Sequence, residues 1–285
     1  MNIMLKTIGL ALFAATMLSS CADPAYDEFP PTRGTQSGFR NQTNRPQNLQ
    51  VNPDRAAQIG HKIWMNEGSA KAENLTVWKL GNNYASVGIG HFIWYPAGQK
   101  GPNEEQFPQL LTFLRKQGTA IPDWLKNTPD CPWNSRQDFY DSINSPRMTE
   151  LRQLLKNTLS QQVQFLIQHL EETLPKMMAA SSAELRTHVR QQFDRVAQQP
   201  QGVYALIDYV NFKGNGTNPK ERYNGNGWGL LQVLEEMPGS SKNVMAEFAQ
   251  AADDVLTRRI QNAPKNEKRW LSGWRYRLKT YTYEF

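Results

Sequence analysis

Over most of the chain, apolar positions recur every three to four residues. Ile59, Ile63 and Trp64 predict a helix that starts at Asp54, a candidate N-cap behind Pro53, and ends near Gly68. Ser145-Pro146 reads as an N-cap followed by proline in the first turn. Leu151, Leu154, Leu155, Leu159, Val163, Leu166, Ile167 and Leu170 then keep the period up to Pro175, which predicts one long amphipathic helix. Leu185, Val189, Phe193 and Val196 mark another helix. Four more are predicted over Val203 to Phe212, Leu230 to Glu236, Val244 to Ile260 and Glu267 to Tyr281. Thr76 to Trp94 differs: its β-branched and aromatic residues are interrupted by Gly81-Asn82-Asn83, the signature of a tight hairpin turn. With no βαβ alternation and no internal repeat, the pattern predicts an α+β, mainly α fold carrying a small β-hairpin.

The N-terminus breaks this pattern. Lys6 precedes an apolar run of eleven residues, Ile8 to Leu18, too short to span a bilayer, which takes about 20. Residues 1–20 therefore read as a cleaved secretory signal. Leu18-Ser19-Ser20-Cys21 resembles the lipobox of bacterial lipoproteins, which implies lipidation of Cys21 and a membrane partner held through the N-terminal lipid. Ala22 follows the cysteine, and the resemblance then implies an outer-membrane lipoprotein facing the periplasm. Residues 21–53 are rich in Pro, Gln, Asn, Thr and Arg and poor in large apolar side chains, so they read as a flexible tether with a reach of roughly 30 Å. The single domain is left to 54–285.

Composition narrows the function classes. The 285 residues include eight Trp, twelve Phe and ten Tyr, enough for a sizeable core. Two cysteines exclude a disulfide scaffold, and with Cys21 lipidated, Cys131 is expected to be an inert thiol. Four scattered histidines lack His-Glu-x-x-His spacing, so no metal and no cofactor is expected. The net charge of +6 suits any polyanion, but the basic residues are dispersed without an Arg-rich helix, which argues against nucleic acid. The loop from Lys213 to Gly227 is rich in Gly and Asn but lacks the Gly-Lys-Ser/Thr ending of a phosphate-binding loop. Its amides and Tyr223 could hydrogen-bond acetamido sugars or simply be solvated. Trp94, Tyr95, Trp124 and Trp133 are candidates either for sugar stacking or for the core.

One acid stands out. Glu67 closes the first helix beside Trp64 and Met65, ahead of Tyr84-Ala-Ser86-Val-Gly-Ile-Gly-His91. A partly desolvated carboxyl there could donate a proton to a leaving oxygen, the acid that glycoside cleavage needs. These stretches resemble the phage-type lysozyme family, in which a helix ends in Glu-Gly ahead of a hairpin with an aromatic-Lys start and a Gly-Ile-Gly-His end. Ala205-Leu-Ile-Asp-Tyr-Val-Asn-Phe-Lys-Gly214 resembles its central helix, and Asn266 to Arg275 its C-terminal one; about 95–200 looks like an enlarged helical insertion. The resemblance implies peptidoglycan as partner. It makes Glu67 the general acid and Ser86 an accessory catalytic hydroxyl, with Asn82, Tyr84, His91, Tyr209, Asn211 and Tyr223 as candidate substrate contacts. His91 is expected to be mainly structural.

The chain departs from the family at Leu80, where a second carboxylate is usual; Glu73, Asn82 and Asn83 are the nearest substitutes and none is in register. Without that carboxylate, hydrolysis through a base-activated water lacks its base. A lytic transglycosylase needs a single Glu, and Gly227-Trp-Gly-Leu-Leu-Gln232 loosely resembles a motif of that class, although it also reads as a plain helix start. The expected function is cleavage of glycan strands between N-acetylmuramic acid and N-acetylglucosamine, by hydrolysis or transglycosylation. The alternative is a non-catalytic lysozyme-like module that binds glycan or protein.

Overall fold

The computed structural model describes residues 49–101 and 103–285. The expected secretory signal, the expected lipidation site Cys21 and the expected tether up to residue 48 lie outside the described residues. Leu49, ahead of the expected domain start at 54, is fully buried in the core, and Val51 packs against it. Among the described residues no helix is long and apolar enough to cross a membrane.

The fold is α+β and mainly helical, as the periodicity implied. Helix α1, Pro53–Gly68, is capped by Asn52 rather than Asp54: Asn52 Oδ1 accepts from the Arg55 backbone N–H, and Pro53 takes the first helical position. Asp54 then sits in the first turn, where an acid suits the helix dipole. The helix ends without a left-handed glycine. Ser69 and Ala70 both adopt φ of +51°, and their N–H groups return to the Met65 and Trp64 carbonyls. Two β-carbons in that region are strained, and the strain sits directly behind Glu67.

A three-stranded antiparallel sheet follows: β1, Thr76–Val77; β2, Ala85–Val87; β3, Phe92–Trp94. Gly81-Asn82-Asn83 does turn the chain, with Asn82 N–H bonded to the Lys79 carbonyl, but within a longer connection between β1 and β2 rather than a tight two-residue hairpin. The β2–β3 turn is short and held from behind. Ile89 N–H donates to Gln162 Oε1 at 3.0 Å, and a β-carbon on Gly88 (φ +76°) would lie 2.6 Å from that same oxygen. Only glycine permits the approach that fixes this turn.

Helices α2 (Phe107–Lys116), α3 (Asp123–Lys126), α4 (Arg136–Asp141) and α5 (Pro146–Asn157) come next. Ser145 caps α5 and Pro146 opens it, as expected. Trp133 packs edge to face on Trp94 and Phe139, and Phe107 packs at a tilt on Trp94 with centroids 4.6 Å apart. Tyr95 is buried as well and Trp124 half-buried, so these aromatics belong to the core and not to a sugar platform. Cys131 is free and buried in the same region, and burial pushes its thiol up to about 12, consistent with an inert group.

The long helix expected through Pro175 is two helices. α5 stops at Thr158, whose hydroxyl donates to the Leu154 carbonyl, and α6 (Leu159–Ala180) starts anew. Pro175 lies inside α6 and does not end it. α6 is the main partner of α1, approaching so closely at Gly60 that a β-carbon there would stand 3.2 Å from the Leu159 carbonyl oxygen. It also packs on α8, so the 95–200 segment contributes a central strut of the fold. α7 (Arg186–Ala197), α8 (Gly202–Lys213), α9 (Leu230–Glu236), α10 (Val244–Asn262) and α11 (Leu271–Lys279) complete the bundle. α8 is buried continuously from Gly202 to Tyr209. The loop after it carries a small hairpin, β4 (Arg222–Tyr223) with β5 (Asn226–Gly227), that the sequence did not suggest.

Candidate active site

Side chains from α1, α6, α8, α11 and the sheet line one cleft of about 440 Å³. Glu67 comes from the last turn of α1, Asn211 from the last turn of α8 and Arg277 from α11. Ser86, Asn82, Tyr84 and His91 come from the sheet and its connections. Leu166, His169 and Leu170 of α6, with Gln106 before α2, form the facing wall. The volume lies within the range of small-molecule sites.

The Glu67 carboxylate is 14% exposed and held asymmetrically. Oε1 accepts from Arg277 Nη2 at 2.5 Å and from Asn211 Nδ2 at 3.3 Å. Oε2 lies 3.4 Å from His91 Nδ1. One oxygen is thus filled by α8 and α11, and the other faces the hairpin side of the cleft. His91 adopts φ of +49°, which the Gly88-Ile89-Gly90 turn imposes. Burial lowers the His91 pKa, against the opposing pull of Glu67, so near neutral pH the ring is uncharged.

Behind Glu67 lies a buried network. Asp208, fully buried in α8, accepts from Arg277 Nε (2.8 Å) and Nη2 (2.9 Å), from Tyr281 Oη (2.6 Å) and from Asn66 Nδ2 (3.0 Å). Burial acts against the charge of Arg277, but Asp208 and Glu67 outweigh it and hold the guanidinium firmly protonated. Arg277 therefore bridges two carboxylates, a buried one that anchors it and an accessible one that it orients.

The candidates from the sequence divide. Glu67, Ser86, Asn82, Tyr84, His91 and Asn211 line the cleft together. Ser86 is buried as a residue in a strand enclosed on both faces, yet borders the cavity. Tyr209 does not reach it: fully buried, it donates to the Trp228 carbonyl at 3.0 Å and packs on Phe248. Its position two residues before Asn211 puts it on another face of α8. Tyr223 is likewise a structural residue, donating to Glu267 and packing on Trp228 in the β4–β5 hairpin. Gln232 Oε1 accepts from the backbone N–H of Gly229, the N-cap of α9, so the Gly227 to Gln232 motif is a helix start.

Leu80 is 88% exposed and does not line the cleft, and Glu73 and Asn83 do not either. Among the described residues that line it, Glu67 is the sole carboxylate. Arg277, Asp208 and Asn66 were missed by sequence reasoning. A signal existed: Asp208 is a lone acid inside the apolar run Val203 to Val210, and an acid there demands a buried cation. No family model, no curated protein and no solved structure matches the chain.

Proposed function

We propose that the chain cleaves peptidoglycan glycan strands between N-acetylmuramic acid and N-acetylglucosamine, with Glu67 as the acid and base. The observation that carries this reading is a single carboxylate, fixed through Oε1 by Arg277 and Asn211, with Oε2 turned into a cleft lacking a second acid. That arrangement favours transglycosylation over hydrolysis, since inverting hydrolysis requires a second carboxylate to activate water.

Glu67 Oε2 gives its proton to the bridging oxygen as the bond from the muramyl C1 to that oxygen breaks. The carboxylate so formed takes the proton of the muramyl 6-hydroxyl as that oxygen bonds to C1, closing a 1,6-anhydro ring. No water is consumed, and the second proton transfer returns Glu67 to the state in which it began. Ser86 and Asn82, which line the same cleft, would hydrogen-bond the sugar, and neutral His91 holds the hairpin edge against Glu67. Lipidation at Cys21 would set this domain at the outer membrane facing the periplasm, with peptidoglycan within reach of its tether.

Glu67→Gln keeps the shape and removes the proton, and a loss of about 10²-fold or more in muropeptide release from purified sacculi is expected. Mass spectrometry of the wild-type products should show 1,6-anhydro ends; reducing muramic ends would mean hydrolysis. Digestion by the Gln variant at the wild-type rate would sink the assignment. Tight binding without release by either protein would favour the non-catalytic module.

A further inference from the structure

The face of the molecule formed by α11 and the short helical turn before it carries an unusual surface. Between Lys265 and Lys279 six side chains are basic, and the one acid, Glu267, is engaged by Arg259 and Tyr223. Arg275 is paired with Asp253, and Arg277 is committed to the cleft. Among the described residues, Lys268, Arg269 and Lys279 have no ion-pair partner. Trp270 stands 50% exposed beside them, with the Arg269 guanidinium 4.7 Å from its ring centre, and Tyr276 is 78% exposed.

This surface connects with the cleft. Phe212, a cleft-lining residue, packs edge to face on Trp274 at 6.3 Å. Lys213 rests 3.5 Å over Trp274, and Trp270 lies one helical turn before it. A succession of rings, each with its own cation, leads from Glu67's cleft to the outer face of α11.

We infer that this track binds an anionic glycan polymer outside the cleft, with a sugar ring stacked on the free face of Trp270 and polymer carboxylates paired with Arg269 and Lys268. The inference rests on the reading of the cleft as a glycan-strand site and extends its footprint along the strand. Charge complementarity selects a polyanion. Continuity selects a strand over a bilayer: Trp270 lies four residues before Trp274, which packs on the cleft-lining Phe212, so this face runs on from the site read as a glycan cleft.

The test is co-sedimentation of the full chain with purified sacculi, in the Glu67→Gln background so that the polymer survives. Adding Trp270→Ala with Arg269→Ala should weaken binding roughly five- to tenfold. Trp270→Tyr, which keeps a stacking face, should retain most of it, and raising the ionic strength should weaken the parent more than the double variant. Melting within about 2 °C of the parent verifies folding, and Trp270→Tyr supplies the comparison should the double variant melt early. Unchanged sedimentation of the double variant overturns the inference. So does lost binding to phosphatidylglycerol vesicles with sacculus binding intact, which would make the face a membrane contact. Sedimentation needs no catalysis, so the two proposals fail separately. A chain that sediments through Trp270 yet releases no muropeptides refutes only the cleavage; one that cleaves but ignores Trp270 refutes only the track.

Discussion

Replacing Arg277 with Met should uncouple the site from the fold that holds it. Arg277 is 13% exposed and Asp208 fully buried, and among the described residues Arg277, through a bidentate contact, is the one cationic side chain hydrogen-bonded to Asp208. Methionine fills a similar volume but leaves Asp208 with Tyr281 and Asn66 alone, a buried charge without a counter-ion. Breaking a buried pair in this way costs about 3–5 kcal/mol. For a domain of this size that corresponds to a fall of roughly 10 °C in melting temperature. Adding Asp208→Asn removes the stranded charge, and the double variant should recover more than half of the loss, since replacing both partners of a buried pair is often close to neutral. Thermal and urea unfolding of wild type, both single variants and the double variant form a closed cycle with a coupling energy above about 1 kcal/mol. Activity should not follow stability: the double variant refolds the core but still leaves Glu67 Oε1 without its guanidinium. A melting point for Arg277→Met within about 2 °C of wild type, or no rescue by Asp208→Asn, would refute the reasoning.

Three further outcomes follow from the same geometry. Because burial lowers the His91 pKa, the unfolded chain binds a proton that the folded one refuses just below the ordinary histidine value; stability should decline as pH falls from about 6.5, and His91→Gln should flatten that decline in pH-dependent urea titrations. Lys213 is lowered to about 7, by burial first and then by Arg259 and Arg277, so its full penalty is felt below pH 7 and fades as pH rises towards 10.5. Lys213→Met should therefore stabilise the protein by about 2 kcal/mol at pH 6, after allowance for the lost contact with Trp274, with the gain shrinking in alkali; a gain that grows with pH would contradict this. Leu80→Asp should change stability by less than about 0.5 kcal/mol and leave the chemical identity of the products as it was, since residue 80 is exposed and off the cleft; new reducing ends would show that the loop brings it in.

Local physics made much of the fold legible. Helical periodicity placed α1 and α7 to α10 within a few residues, because each buries one continuous apolar stripe. It failed at Thr158 and Pro175 for opposite reasons. The stripe runs unbroken across Thr158, while the backbone stops there, its carbonyls taken by a threonine hydroxyl and a glutamine amide. Pro175 falls where the helix tolerates one missing N–H. Asn52 displaced Asp54 as the cap because Pro53 suits the first helical position, which puts the cap at the residue before it, two ahead of Asp54.

The sequence alone determined that Glu67 ends an amphipathic helix, that a glycine-rich turn carries His91, and that the body is helical, since each of these is written in contacts of short range. Only the tertiary structure decided what surrounds Glu67. Arg277 reaches it across 210 residues of chain, and Asp208 pins that arginine from the middle of a buried helix. The same packing turned Tyr209 inward and left Leu80 outside the cleft. Spacing along a helix can say that two residues share a face; which face meets the cleft is settled by the helices packed against it.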